Sequence, residues 1–523
     1  MKINPLHVLL FLFLITGCKT SPVNKGGGNK PIDRENKTPV TISRIANTPE
    51  GKPYLEVAGE PFAVYGAQIR IDVFRSVDKM EWTDIEPYFR TASEFGLNCV
   101  QVPLPWKFLE PNENEYTFDE IDHILSLAAK YSLKIELLWF STNFIGDSYS
   151  WLLPNYILSK SAIRLNREGS GSFHALYGYT YSIAFDDQSV LERERLALTT
   201  LFAHIRDWDD DHGQIHPVIT CQIHNEPDAL VRWRLDEKKI SRKDGTPLTK
   251  KEVWDMTLTA LDAAGKAVQA SEYKVATRTN IISGNGVGDF PQTPGISPKD
   301  VYALDGIDFL SFDPYMQTVN QIASEVSAYA SLPGNYPLIA ENRGDFSTGA
   351  SLMLAASALG GGYDIYDLAT SPFITSNSAP PFNTEGIFDV NLDKKPHTDK
   401  VRRILAGLVA NGKEVATTSL KDFAAFNILS DNPSDVLTQQ ITTSGAVLEF
   451  KTSSGALAFV LDRGDRLIVY STAAATLKVS GGKLTDRADD TVILEAEKTY
   501  VLPFQSYGPQ PSTTVKNIGT IFR

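Results

Sequence analysis

The sequence predicts an α/β protein, a (β/α)8 TIM barrel with a small C-terminal antiparallel β-domain. Three observations predict it. The chain of 523 residues is too long for one simple core, which calls for a large domain plus a smaller one. Over residues 53–412, short apolar runs alternate with longer amphipathic ones, the pattern of a parallel sheet covered by helices. Over residues 413–523 the pattern changes to short strands separated by turn residues.

The elements follow in order. Lys2 precedes the apolar run Val8–Ile15, which is short for a membrane span and reads as the core of a signal peptide over residues 1–17. The run ends in Ile15-Thr16-Gly17-Cys18, which resembles the bacterial lipobox. That resemblance implies that Cys18 is the acylated first residue of the mature protein. It places the chain in the bacterial cell envelope, on the outer membrane or the periplasmic face, with the membrane as a partner through the lipid. An ordinary signal peptide cut near a cysteine is the alternative. Residues 18–52 are polar and include Gly26-Gly27-Gly28, so a flexible tether is expected there.

Eight runs read as barrel strands: Phe62–Gln68, Asn98–Val102, Lys134–Phe140, Val218–His224, Val275–Ile281, Phe309–Phe312, Pro337–Glu341 and Gly362–Tyr366. Helical patterns lie between them over Glu81–Phe95, Phe118–Tyr131, Val190–Asp207, Lys250–Ala270 and Asp399–Ala410. Gly96 stops the first of these as a left-handed C-terminal cap. Beyond Phe423, strands are expected over Val447–Phe450, Ala456–Leu461, Arg466–Tyr470, Thr476–Val479, Thr491–Leu494 and Thr499–Phe504. Arg463-Gly464-Asp465 reads as a hairpin turn between two of them.

Composition excludes some functions. A net charge of −13 argues against nucleic acid, whose phosphates an acidic surface repels. There is no CxxC pair and no HExxH, so neither metal nor cofactor is expected. Cys99 and Cys221 lie in apolar runs and read as packing thiols. Asp207, Asp209 and Asp211 alternate like a calcium loop but lack its closing glutamate, so they read as a solvated helix end.

A barrel of this kind carries its chemistry at the C-terminal ends of its strands. Read in order, those ends present Gln68, Pro105-Trp106, Trp139-Phe140, Asn225-Glu226, Asp313-Pro314-Tyr315, Glu341-Asn342 and Tyr363–Asp367. Two long connections follow strands three and eight, and the first carries eight aromatic side chains between Phe144 and Tyr181. Glu226 and Glu341 end strands four and seven, across the mouth from each other. Cleaving a glycosidic bond needs a proton for the leaving oxygen and a carboxylate for the anomeric carbon. A pair about 5–5.5 Å apart does this with retention, whereas a wider gap admits water and inverts.

Cys221-Gln222-Ile223-His224-Asn225-Glu226-Pro227 resembles the Asn-Glu motif that ends strand four in the clan of retaining barrel glycosidases. Tyr336–Glu341 is similar to that clan's strand seven. The resemblance implies that Glu226 is the acid/base and Glu341 the nucleophile. It implies that Asn225 bonds the sugar hydroxyl beside the anomeric carbon and that Tyr315 orients Glu341. Trp106 and Trp139 are candidate stacking platforms; Gln68, Asn143 and Tyr363 are candidates for sugar hydroxyls. Asn98–Phe118, Glu136–Phe140, His216–Gln222 and Glu385-Gly386 resemble passages of the β-galactosidase-like families 35 and 42, over roughly Phe62 to Leu408. Two departures stand beside this. Gln101 occupies a place where many clan members carry arginine, and His224–Asp228 is closer to the glucanase and mannanase families. The implied function is an exo-acting, retaining β-galactosidase-like hydrolase of an oligo- or polysaccharide. An endo-β-glycanase of the same clan and a non-catalytic glycan-binding surface lipoprotein are the alternatives.

Overall fold

The computed structural model describes residues 36–143, 147–149, 152–159, 166–167, 180–182, 184–229, 231–232, 240–282, 286–291, 293–316, 318–377, 385–427 and 436–509. Cys18 and residues 1–17, expected to be a signal peptide, lie outside them.

The chain forms the barrel and the β-domain. The barrel strands are β1 (Tyr65–Ala67), β2 (Cys99–Pro105), β3 (Lys134–Asn143), β4 (Val218–Asn225), β5 (Ala276–Ile282), β6 (Phe309–Asp313), β7 (Leu338–Arg343) and β8 (Tyr363–Tyr366). They pair in chain order, all parallel, and β8 pairs with β1. A bridge between Gln68 and Gln101 closes the ring between β1 and β2. The outer layer is α1 (Trp82–Phe95), α2 (Asp119–Lys130), α3 (Gln188–Asp211), α4 (Lys250–Gln269), α5 (Pro298–Tyr302), α6 (Val319–Ala330), α7 (Gly349–Ala358) and α8 (Thr398–Ala410).

Local chemistry explains the helix ends. A reciprocal pair, Glu81 with Asp84, caps the start of α1, and Gly96 at φ 99° ends it. Thr249 and Glu252 form the same device at α4. α7 differs from the other long helices: every one of its residues is buried. It packs between α6, α8 and the first strand of the C-terminal domain, so it has no polar face. That is why periodicity does not predict it.

One expectation is corrected here. The flexible tether predicted through residue 52 ends near residue 40. Val40–Thr41 pairs with Tyr273–Lys274, and Ser43–Asn47, Pro53–Val57 and Glu60–Phe62 form a three-stranded antiparallel sheet. The physical reason is burial. Leu55 and Val57 pack with Cys99, Ile219, Ala276, Phe309 and Leu338, residues at or next to the starts of five barrel strands. The sheet therefore plugs the barrel at the end where the strands start.

The C-terminal domain is two antiparallel sheets around one apolar core. It includes three strands beyond those expected: Phe423–Asn427, Val436–Thr442 and Gly482–Leu484. The domain docks on α8. There Tyr470 lies against Gly407, where an added Cβ would sit 2.4 Å from the ring.

The barrel interior is polar where aliphatic layers are usual. Gln101 Nε2 donates to Gln222 Oε1 at 2.9 Å, and Arg278 donates to the same oxygen at 2.7 Å. Below them, Arg278 lies between Glu136, at 3.3 Å, and Asp364, at 3.9 Å. No helix among the described residues is long and apolar enough to cross a membrane.

Candidate active site

The mouth of the barrel gathers three carboxyl groups. One oxygen each of Glu226, Asp313 and Glu341 lies within 4.8 Å of the others. Glu226 follows β4, Asp313 ends β6 and Glu341 lies in β7.

Glu226 stands on a turn of unusual backbone. His224 has φ 58° and Glu226 has φ 43°, both left-handed, with Asn225 between them. Such residues cost roughly 1–3 kcal/mol each and persist only where surrounding contacts hold them. The contacts are present. Gln222 Nε2 donates to the His224 carbonyl at 3.0 Å, and the Glu226 N–H donates to Asn280 Oδ1 at 2.9 Å. The His224 ring is buried and meets Glu194 of α3 at 2.9 Å. Glu194 also accepts from Trp139 Nε1 at 2.8 Å and from Ser141 at 3.0 Å. A carboxylate from α3 thus ties the ends of β3 and β4 together.

Glu341 is held differently. It lies in β7 and is buried. Tyr315 donates to its Oε2, and Gln68 Nε2 donates to its Oε1 at 3.4 Å. Burial raises its pKa above the usual glutamate range; the Tyr315 hydrogen bond, the Arg70 charge and the Gln68 hydrogen bond oppose the rise. Asp313 is held well above the ordinary carboxylate range by burial and by the charges of Glu341 and Glu226. Three carboxyls this close do not all ionise. Two further acids lie near. Burial pushes Asp367 up to about 6. Burial, with the charges of Asp367 and Glu341, pushes Glu385 up to about 9.

Several sequence expectations are corrected. Trp106 and Trp139 are fully buried and bond to Glu110 and Glu194, so neither ring offers a face to a sugar. Tyr363 is buried, and its hydroxyl accepts from Asn342 at 2.9 Å, so it does not reach a ligand either. A residue at a strand end points either into the mouth or into the helix layer, and these three point away from the mouth. Gln68 is at the mouth, with bonds to Glu341 and Gln101. Asn143 pairs with Asn225 through the backbone, and its side chain lies outside the described residues. Asn225 is adjacent to Glu226, with Nδ2 3.4 Å from Glu226 Oε2.

Two residues were missed. Arg70, just beyond β1, clasps Asp72 through two bonds, donates to the Tyr366 hydroxyl at 3.1 Å and places positive charge near Glu341. The signal was its position, two residues past Gln68. Asn280 lies inside β5, in the run Thr277-Arg278-Thr279-Asn280, all of it buried. Four polar residues in a strand covered on both faces were the signal.

Two clusters among the described residues hold three side chains each of metal-ligating kinds: the mouth trio, and Cys99 with Glu136 and Asp364. In the second, Arg278 already supplies the positive charge.

Comparison with known proteins adds the following. A family model described as a domain of unknown function (DUF4978) matches residues 256–433, from α4 into the C-terminal domain. No curated protein matches. Similar solved structures include the exo-β-1,4-mannosidase Op5Man5 from Opitutaceae bacterium strain TAV5, with TM-score 0.49 and 13% identity, over 72% of this chain and 64% of that one. They also include the β-galactosidase from the psychrophilic Marinomonas ef1, with TM-score 0.45 and 12% identity, over 67% and 60% of the two chains. A third is the β-galactosidase from Bacillus circulans sp. alkalophilus, with TM-score 0.47 and 11% identity, over 69% and 58%. The chain spans less than two thirds of each of these proteins.

Proposed function

We propose that this chain is a retaining β-glycoside hydrolase, with Glu226 as acid/base and Glu341 as nucleophile. One observation carries the reading: an oxygen of each of the two carboxyls lies within 4.8 Å of the other at the barrel mouth. That gap suits direct attack on an anomeric carbon and is narrow for an intervening water.

The reaction runs in two displacements. A Glu341 oxygen attacks the anomeric carbon while Glu226 gives its proton to the departing glycosidic oxygen. The bond to that oxygen breaks, and a glycosyl ester on Glu341 forms. Water then gives a proton to Glu226 and attacks the same carbon. The ester bond breaks and Glu341 leaves as a carboxylate, so the configuration is restored. Tyr315 and Gln68 support the ionised form of Glu341 by donating to it. We assign the substrate as a neutral β-linked sugar, with galactose first on the strand-two and strand-three resemblance. The carboxyls crowding the mouth disfavour an acidic sugar. We further propose that Cys18 carries a lipid; fatty-acid labelling lost in Cys18→Ser tests this.

A panel of aryl β-glycosides tests the activity, with the first-formed product followed by NMR. Retained configuration on the galactoside is the expected result. Inversion, or full activity in Glu341→Ala, overturns the mechanism. Inactivity on all aryl glycosides with release of oligosaccharides from a polymer replaces exo action by endo action.

A further inference from the structure

We propose that Asn280 on β5 is the positioning residue of the acid/base turn: its single amide sets both the backbone at Glu226 and the amide of Asn225. This rests on the reading of Glu226 as acid/base.

A carboxamide offers two acceptor sites and two donor hydrogens. Asn280 uses all four. Its Oδ1 accepts from the Glu226 N–H at 2.9 Å and from Gln222 Nε2 at 2.7 Å. Its Nδ2 donates to Asn225 Oδ1 at 3.0 Å and to Asp313 Oδ2 at 2.6 Å. The side chain is fully buried, so water does not substitute for any of these bonds and Asn280 does not touch a sugar itself.

Two consequences follow. The left-handed backbone at Glu226, φ 43°, is pinned through its own N–H, so β5 helps to aim the carboxyl. The Asn225 amide is also oriented. Its oxygen is taken by Asn280, and Gln222 Nε2 reaches the same oxygen at 3.3 Å, so its Nδ2 faces Glu226 and is the end presented to a sugar hydroxyl. Asn280 further links the turn to β6 through Asp313, the third carboxyl of the mouth. No other standard side chain of this size supplies two donors and two acceptors in one plane. Aspartate keeps the acceptors and loses the donors, and alanine loses all four.

The test compares leaving groups. A dinitrophenyl glycoside departs without a proton, whereas an alkyl glycoside needs the one Glu226 delivers. We expect Asn280→Ala to lower kcat/KM on the proton-demanding substrate about tenfold or more beyond its effect on the dinitrophenyl substrate. Asn280→Asp, nearly isosteric and checked for native circular dichroism, is expected to show the same leaving-group bias. An equal loss on both substrates, or no loss, overturns the proposal, since a merely structural role does not sense the leaving group. Wild-type protein that hydrolyses neither substrate and releases no oligosaccharide from a polymer refutes the glycosidase reading instead.

Discussion

The seats of the two glutamates proposed as catalytic are built on different plans. Glu226 stands on a strained turn whose backbone is itself bonded, its own N–H to Asn280 and the His224 carbonyl to Gln222, with Asn225 Nδ2 near its Oε2 at 3.4 Å. Glu341 sits in a β-strand, and the bonds that fix it run to its carboxyl oxygens, from Tyr315 and Gln68. The difference matches the two proposed roles. A group that must lose and regain a proton in each turnover is best aimed through its backbone, which is indifferent to protonation. A group that must stay ionised is best held by donors on its oxygens, which favour the charged form.

This contrast is open to attack at graded cost. Glu341→Ala is expected to abolish hydrolysis of every substrate, since no ester intermediate forms without it. Glu226→Ala is expected to cost roughly 10²–10⁴-fold on a proton-demanding glycoside and far less in kcat/KM on a dinitrophenyl one. Equal losses on both substrates would erase the distinction between the seats. Tyr315→Phe removes one donor from the Glu341 carboxylate. A hydrogen bond to a charged group contributes about 1.5–3 kcal/mol, so a loss of roughly ten- to a hundredfold is expected. The pH profile carries the sign. Glu341 must be ionised, so activity falls as pH drops through its pKa. Losing the Tyr315 donor favours the neutral acid and raises that pKa, moving the acid limb to higher pH. An unmoved limb would mean that the strand, and not the donor, holds Glu341 ionised.

The barrel and the glutamate pair were legible because each has a local signature. Eight apolar runs and a glutamate at the ends of the fourth and seventh need only chain order. The plug sheet was not legible, because Ser43–Asn47 and Pro53–Val57 are short runs that follow a polar stretch with no period to set them apart. α7 was invisible because a helix buried on all sides has no period to read. Within the site, a strand-end position identifies a residue but not the direction of its side chain. Trp106 and Trp139 therefore read as platforms, although both serve the core. Asn280 and Arg70 escaped because their importance lies in partners far off in sequence: Glu226 and Asp313 for one, Tyr366 and Glu341 for the other.

The smallest expected effect probes the charge around the Glu341 seat. Burial, then the charges of Asp367 and Glu341, hold the Glu385 pKa up to about 9, so its carboxyl is neutral at neutral pH. Glu385→Gln keeps that neutrality and is expected to leave the acid limb of the pH profile in place. Stability shows the difference that activity does not. An acid whose folded pKa lies above its unfolded value contributes stability that is complete below the unfolded value. That stability is lost as pH rises through the folded one. For Glu385 the window runs from the ordinary value of 4.5 to about 9. Denaturant midpoints of wild type and Glu385→Gln should therefore diverge across that window, the variant gaining on the wild type as pH rises. If instead the acid limb moves to lower pH in the variant, Glu385 is ionised beside the nucleophile. The Glu341 seat then works against a second negative charge, and the two donors on its oxygens carry more of the burden than the comparison with Glu226 assigns them.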